Sequence, residues 1–178
     1  MKFWSETIRQ IAPYVPGEQP QDKKYIKLNT NENPYPPSPK VLEAIWAETC
    51  ADVRLYPDPD ARLLKRALAG CYSVQPDEVF VGNGSDEVLA FCFPAFFNPG
   101  DTIGFPEVTY SFYPVYADLF GVRVETIPMQ QDFTYNPDDF RTGLKGILLA
   151  NPNAPTGIAI GLDAVQALLN RCPDTLVI

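Results

Sequence analysis

Short apolar runs alternate with amphipathic segments over most of the chain. Five runs have the length of a β-strand, and most of them end in Gly, Pro or Asn: 78–81, 102–105, 122–127, 146–150 and 175–178. Apolar residues at helical spacing predict helices over 39–50, 59–73, 86–97, 110–120 and 162–170. Alternating helices and buried strands are typical of an α/β fold with a mostly parallel sheet flanked by helices.

The first 39 residues differ from the rest. Residues 1–39 are polar and rich in proline, with one short predicted helix over 3–11. Such a segment buries little apolar surface by itself, so we predict an extended N-terminal arm that lies on a larger body or on a neighbouring subunit. Ser38 and Pro39 fit the N-cap and the first position of the next helix. Residues 40–178 are predicted to form one domain.

Composition excludes several classes of function. The net charge of −8 repels nucleic-acid backbones, and the absence of histidine removes His-based triads and most metal sites. The four cysteines lack the spacing of zinc or redox motifs, and we expect them to be small buried side chains in a reducing compartment. The longest apolar run, 88–97, is too short to span a bilayer. We therefore expect a soluble, cytoplasmic protein.

A turn with two glycines precedes the predicted helix over 86–97. Gly82 and Gly84 would let the backbone approach an anion closely, and the N–H groups at the start of the helix would point towards that anion. In the alternative, Ser85 only caps the helix, and Asp86 and Glu87 complement its dipole. The turn matches neither a P-loop nor a dinucleotide-binding fingerprint.

Two further motifs follow predicted strands. Residues 151–157, Asn-Pro-Asn-Ala-Pro-Thr-Gly, combine a rigid backbone with two amides that could line a small-molecule site. Tyr110 ends the motif 106–110 and could stack on a flat heterocycle. The alternatives are an ordinary proline-rich turn and a half-buried core tyrosine. Taken alone, residues 28–34 and 56–58 are turns.

Six short segments follow one another along the chain: 13–17, 31–34, 56–58, 84–87, 106–110 and 151–157. In this order they resemble segments of the histidinol-phosphate aminotransferases, which are fold type I pyridoxal 5′-phosphate (PLP) enzymes. The resemblance covers nearly all of the chain and about half of the family's length. It implies an incomplete PLP-binding large domain over 40–178, preceded by the arm. It also implies PLP as cofactor, a homodimer, and amino-group transfer between L-histidinol phosphate and 2-oxoglutarate in histidine biosynthesis.

The resemblance also implies individual roles. Ser85, Asp86 and Glu87 would hold the PLP phosphate. Tyr110 would stack on the pyridine ring, and Tyr56 would reach the phosphate of the neighbouring subunit's cofactor. The substrate side would be lined by Tyr14, Asn31, Glu32 and Asn33.

Two positions depart from the family. An Asn directly before Pro-Thr-Gly usually donates to the phenolic oxygen of the cofactor, but this chain has Ala154 there. We expect Asn153 to substitute for it. Many relatives carry Lys where this chain has Glu18, which removes a cation from the region expected to bind substrate phosphate.

The resemblance places the Schiff-base lysine, the aspartate at the pyridine nitrogen and the substrate-binding arginines beyond residue 178. None of the seven lysines stands in the family's Ser-Lys context, so no catalytic residue is predicted in this chain and the isolated chain should be inactive. The apolar run at 175–178 resembles the middle of a buried strand, so we expect the molecule to continue, or to have once continued, beyond it. Another PLP enzyme of this fold, such as a threonine-phosphate decarboxylase, and a non-catalytic fragment stay open as alternatives. A Rossmann-like nucleotide binder is a weaker one.

Overall fold

The structure, a computed structural model, describes residues 3–11, 17–18, 20–23 and 25–178. Two compact units divide the chain: one comprises residues 1–12 and 82–178, and the other comprises residues 13–81. The predicted arm over 1–39 and the predicted domain over 40–178 stay predictions. Within the described residues, no helix has the length and hydropathy needed to cross a membrane.

The unit of residues 13–81 is built from helices and turns. Helix α2 spans Pro39–Glu48 and α3 spans Arg62–Tyr72, with 3-10 turns at Ala51–Arg54 and Pro76–Glu78. Ser38 is the N-cap of α2 and Pro39 its first residue, as predicted. Helix α3 starts three residues later than predicted, because the Asp58 carboxylate accepts hydrogen bonds from the N–H groups of Asp60 and Arg62 and forms a turn there.

The strand predicted over 78–81 is wrong. Pro76–Glu78 form a 3-10 turn, in which the Glu78 carboxylate accepts a 2.7 Å hydrogen bond from the backbone N–H of Gln75. The next residue, Val79, has extended backbone angles, but residues 79–81 pair with no strand among the described residues. An apolar run predicts burial; a strand also needs a neighbour to hydrogen-bond with.

The sheet lies in the other unit and confirms the predicted α/β class. After the short helix α1 (Glu6–Gln10), this unit contains α4 (Gly84–Phe96), β1 (Thr102–Pro106), α5 (Phe112–Phe120), β2 (Arg123–Ile127), a 3-10 turn (Pro137–Asp139), β3 (Gly146–Ile147), α6 (Leu162–Arg171) and β4 (Leu176–Val177). All four strands are parallel, in the order β2-β1-β3-β4. Hydrogen bonding continues past β3, since the Leu148 N–H donates to the Gly104 carbonyl at 2.9 Å.

The strand order creates a switch point between β1 and β3. From β1 the chain passes through α5 to β2 on one side, and then returns to form β3 on the other side. The loops that leave the carboxyl ends of β1 and β3 therefore head in different directions. Open α/β sheets form their ligand clefts at such points.

Two apolar clusters cover the sheet. One contains Phe93 of α4, Ala117 of α5, and Ile103 and Phe105 of β1; the other contains Phe140, Leu144, Ile147, and Leu168 and Cys172 at the end of α6. Ile147 belongs to the second cluster and the next residue, Leu148, to the first, as the alternation of side chains in an extended chain requires. Cys172 is buried, but Cys50 and Cys71 are exposed, so the expectation of buried cysteines is wrong for these two.

Gly146→Ala should destabilise the sheet. An added Cβ would lie 2.5 Å from two ring atoms of Phe97, which is itself buried. We expect the free energy of unfolding to fall by about 1–3 kcal/mol, the usual cost of overpacking a core, as measured by urea denaturation. Gly70→Ala in α3 is the control: nothing lies within 4 Å of its Cβ position, and alanine favours helix by about 0.5–1 kcal/mol. Equal losses in both variants would contradict this packing.

Candidate functional site

Helix α4 begins in an exposed turn over residues 82–86. Its N-cap is Asn83 and Ser85 is its second residue, so the alternative in which Ser85 caps the helix is wrong. Gly84 has φ 81°, a left-handed conformation that glycine adopts without strain. Among the described residues, none accepts a hydrogen bond from the backbone N–H of Ser85 or Asp86. Two donors at the positive end of the helix dipole thus face outward.

The Glu87 side chain stabilises this turn from within. Its carboxylate accepts a 2.6 Å hydrogen bond from the Asn83 backbone N–H and a 3.1 Å bond from the Asn83 side-chain amide. The backbone bond, and then the side-chain bond, lower the pKa of Glu87 below its ordinary value. A Cβ on Gly82 would come within 3.0 Å of the Glu87 Oε2 atom. Gly82 therefore leaves room for this carboxylate, which would have to shift to accommodate a larger residue.

Asp86 joins the start of α4 to two tyrosines. The Tyr110 hydroxyl donates to its carboxylate at 2.5 Å, and the Tyr116 hydroxyl donates to its backbone carbonyl at 2.8 Å. The Tyr110 ring stacks against Phe112, with centroids 5.9 Å apart and an interplanar angle of 21°, and meets the edge of Tyr113 at 5.7 Å. Tyr110 is therefore held both at its hydroxyl and along its ring.

Asn153 belongs to the loop that follows β3. Its side chain is only 2% exposed, and its carbonyl oxygen accepts a 2.7 Å hydrogen bond from the Thr109 hydroxyl. Its amide nitrogen donates to the Val108 carbonyl at 2.9 Å and to the Thr156 hydroxyl at 3.1 Å. Both loops at the switch point are thus tied together by one buried amide.

These elements enclose a cleft of about 340 Å³, within the usual size of small-molecule pockets. It is lined by Ser85, Leu89, Tyr110, Tyr113, Ala150 and Ala154. Of the residues predicted to bind the cofactor, Ser85 and Tyr110 line the cleft. Asp86 is hydrogen-bonded to Tyr110 but is not itself in the lining. Ala154 lines it, whereas Asn153 is turned inward. No lining residue carries a charge, so the exposed N–H donors provide the attraction for an anion.

Sequence reasoning missed three of the lining residues: Leu89, Tyr113 and Ala150. Leu89 and Tyr113 also belong to the apolar core, and their helical spacing is that of core side chains. Nothing in a single sequence distinguishes a core residue from one whose edge reaches a cleft.

The other predicted site residues lie in the unit of residues 13–81. The Tyr56 side chain is fully exposed, at 101%. Asn31 has φ 52°, Glu32 forms an ion pair with Lys27, and the Asn33 side chain accepts a 3.0 Å hydrogen bond from the Tyr35 N–H. The predicted roles of these four residues stay predictions. Tyr14 lies outside the described residues.

A larger cavity, of about 480 Å³, lies at the amino-terminal ends of the strands, opposite the cleft. It is formed by the segments that lead into the strands, and its charged residues are Asp101, Arg123, Lys145, Arg171 and Asp174. Lys145 is the only described lysine in the unit of residues 1–12 and 82–178. Because Lys145 lines this cavity, it lies at the opposite ends of the strands from Ser85 and Tyr110.

A sequence model of the family described as aminotransferase class I and II matches residues 23–178. The chain belongs to this family. This aminotransferase chain is 53% identical over 177 residues to a histidinol-phosphate aminotransferase of Clostridium acetobutylicum, covering 99% of the chain and 50% of the relative. It is 50% identical to the corresponding protein of Pseudomonas syringae, covering 99% of the chain and 51% of the relative. The chain spans about half the length of the curated relatives it matches.

Solved structures share the fold of this aminotransferase chain. A histidinol-phosphate aminotransferase of Sinorhizobium meliloti, in complex with pyridoxal-5′-phosphate, matches 83% of the chain and 41% of its own length, with a TM-score of 0.74 and 25% identity. An aspartate aminotransferase variant of Thermus thermophilus matches 96% of the chain and 47% of its own length, with a TM-score of 0.77 and 23% identity. The predicted resemblance is confirmed, and the Rossmann-like interpretation loses its support.

The Glu87 carboxyl should titrate below the ordinary glutamate pKa of 4.5. A lowered pKa means that the charged form stabilises the folded turn, so this contribution is complete above the unfolded pKa and is lost as the pH falls through the folded one. An NMR titration of the side-chain carboxyl carbon measures it. Asn83→Ala should raise the pKa only partly, because the backbone N–H remains. A wild-type midpoint at or above 4.5 would contradict the contact.

Proposed function

We propose that the protein is a PLP-dependent aminotransferase that transfers an amino group between L-histidinol phosphate and 2-oxoglutarate, in histidine biosynthesis. The observation that carries the proposal is the cleft at the switch point, where Ser85 at the start of α4 and the Tyr110 ring line one concave site, and the neighbouring Asp86 accepts a hydrogen bond from Tyr110. The substrate is supported by the identity of 50–53% to histidinol-phosphate aminotransferases over 99% of the chain.

The residues of the cleft fit PLP. The N–H groups of Ser85 and Asp86, with the Ser85 hydroxyl, suit a phosphate at a helix N-terminus, and the flat ring of Tyr110 suits stacking on a pyridine. The small side chains of Ala150 and Ala154 leave room beside that ring. PLP supplies the electron-withdrawing ring needed for amino-group transfer; the residues of this chain bind and orient it.

Two carboxylates lie close to the proposed phosphate, and both are engaged by donors of the protein. The side chain of Asp86 accepts the Tyr110 hydroxyl and that of Glu87 accepts the Asn83 amides, so both are occupied by donors of the protein. We therefore propose that Asp86 binds the phosphate through its backbone N–H. Glu87 contributes by holding the turn, and its side chain is not a ligand of the phosphate.

The remaining predicted residues complete the proposal. In a cytoplasmic homodimer, Tyr56 would reach the cofactor phosphate of the neighbouring subunit, and its full exposure is compatible with such a contact. Tyr14, Asn31, Glu32 and Asn33 would face the substrate. We propose that the lysine that bonds PLP comes from outside the 178 residues. None of the seven lysines stands in the family's Ser-Lys context, and Lys145 lines the cavity at the opposite ends of the strands.

In the protein with its complete chain, kcat/KM for L-histidinol phosphate, with 2-oxoglutarate as acceptor, should exceed kcat/KM for aspartate or another amino donor. Formation of glutamate in a coupled assay measures this. L-Threonine O-3-phosphate tests the alternative, because a decarboxylase of the same fold from Porphyromonas gingivalis also resembles the chain, at 24% identity and a TM-score of 0.63. Release of carbon dioxide from that substrate, without transamination of histidinol phosphate, would contradict the proposal.

The 178-residue chain alone should form no stoichiometric covalent adduct with PLP. After incubation with PLP and reduction with borohydride, mass spectrometry should find lysine modified only in trace amounts and scattered over the surface. A single stoichiometric adduct, at Lys145 or any other lysine of the chain, would show that the bonding lysine lies within these residues.

Tyr110→Ala should weaken PLP binding by about 0.5–1.5 kcal/mol, or roughly two- to twelvefold, the usual contribution of an aromatic pair. Quenching of intrinsic fluorescence on adding PLP to the cofactor-free protein measures the affinity. Phe133→Ala is the control, because Phe133 is a half-exposed aromatic residue that does not line the cleft. Unchanged affinity in Tyr110→Ala, or an equal loss in Phe133→Ala, would count against a stacking role.

A further inference from the structure

We infer that Asn153 is a positioning residue: it fixes the Tyr110 wall of the cleft against the Ala154 wall and does not itself bind the cofactor. This inference rests on the proposed function and replaces the expectation that Asn153 substitutes for an amide at position 154.

The side-chain amide of Asn153 has no donor left for a ligand. An amide nitrogen carries two hydrogens, and here one is donated to the Val108 carbonyl and the other to the Thr156 hydroxyl. The side chain is 2% exposed, so a ligand in the cleft could reach it only after these bonds break. Breaking them would leave buried polar groups without partners, which is costly.

The bonds of Asn153 connect the two walls of the cleft. Thr109 precedes Tyr110, Asn153 precedes Ala154, and the hydroxyl of Thr109 donates to Asn153 at 2.7 Å across 44 positions of sequence. Tyr110 and Ala154 both line the cleft. The width of the cleft between the ring of Tyr110 and the methyl group of Ala154 is therefore set by a contact between their neighbours.

Asn153 is also held firmly in its own loop. Its backbone N–H donates to the Ile158 carbonyl at 2.8 Å, and its backbone carbonyl accepts from the Gly157 N–H at 2.7 Å. A fixed backbone makes the side chain a rigid connection, because it cannot follow the loop after β1 if that loop moves.

The chemistry of the contact selects asparagine. It must accept from the Thr109 hydroxyl and donate to a carbonyl at the same time. Aspartate would place a carboxylate against the Val108 carbonyl, and leucine would leave both partners unsatisfied in a buried site. An amide of this length supplies both functions.

A double-mutant cycle between Asn153→Ala and Thr109→Val tests the inference, with PLP affinity of the cofactor-free protein as the main measurement. Each single variant should weaken PLP binding about three- to tenfold, a loss similar to that of one hydrogen bond. The double variant should be no weaker than the weaker single variant, because both remove the same contact. Thr109→Ser keeps the hydroxyl and should bind PLP as the wild type does.

Three results would overturn the inference. If Asn153 bound the cofactor directly, Asn153→Ala would weaken binding while Thr109→Val would not. If its role were only structural, both variants would unfold at lower urea concentration but bind PLP normally while folded. Additive losses in the double variant would show that the two side chains act separately.

A second measurement separates this inference from the proposed function. If the wild-type protein does not bind PLP, the proposed function fails. The urea midpoints of the wild type, the two single variants and the double variant still test the contact. The midpoint of the double variant should then fall no further than that of the less stable single variant. If Asn153→Ala does not fold, the Thr109→Val and Thr109→Ser pair still compares loss and retention of the hydroxyl.

Discussion

The pairing of β1 with β3 is the constraint on which the candidate site depends. Because β2 pairs with the other side of β1, the loops after β1 and β3 leave the sheet at its switch point. The pairing covers only the register of Ile103 with Gly146 and of Gly104 with Ile147, and it needs both glycines: a side chain at either would enter a buried aromatic or aliphatic neighbour. The small residues inside the sheet therefore determine where the cleft outside it can form.

The proposed cleft would bind an anion within a protein whose overall charge is negative. Its lining carries no charge, and the whole chain has a net charge of −8. The exposed N–H groups of Ser85 and Asp86 thus provide the local positive potential. The nearby carboxylates of Asp86 and Glu87 accept hydrogen bonds from Tyr110 and Asn83. Those bonds make both carboxylates parts of the scaffold, although each keeps its negative charge. The N–H groups at the start of α4 must therefore outweigh that charge at the proposed phosphate.

Much of the fold could be predicted from the sequence, and less of the site. Strand-length apolar runs and helical spacing located all four strands of the sheet, because both patterns are local. The strand predicted from the apolar run at 78–81 was wrong, because strand pairing depends on a partner that no local pattern reveals. In the site, the glycine turn and Tyr110 were found from motifs. The inward direction of Asn153 was not, because it depends on Thr109, which is 44 positions away. Long-range contacts of this kind require the folded chain.

In the proposed complex, the first N–H groups of α4 hold the phosphate of the cofactor. Amide chemical shifts of the ¹⁵N-labelled protein test it most directly, on adding PLP and, separately, pyridoxal, which lacks the phosphate. PLP should shift the Ser85 and Asp86 amides most, and pyridoxal should shift them far less. Equal shifts with both compounds, or the largest shifts at Arg123 and Lys145 at the opposite ends of the strands, would contradict it.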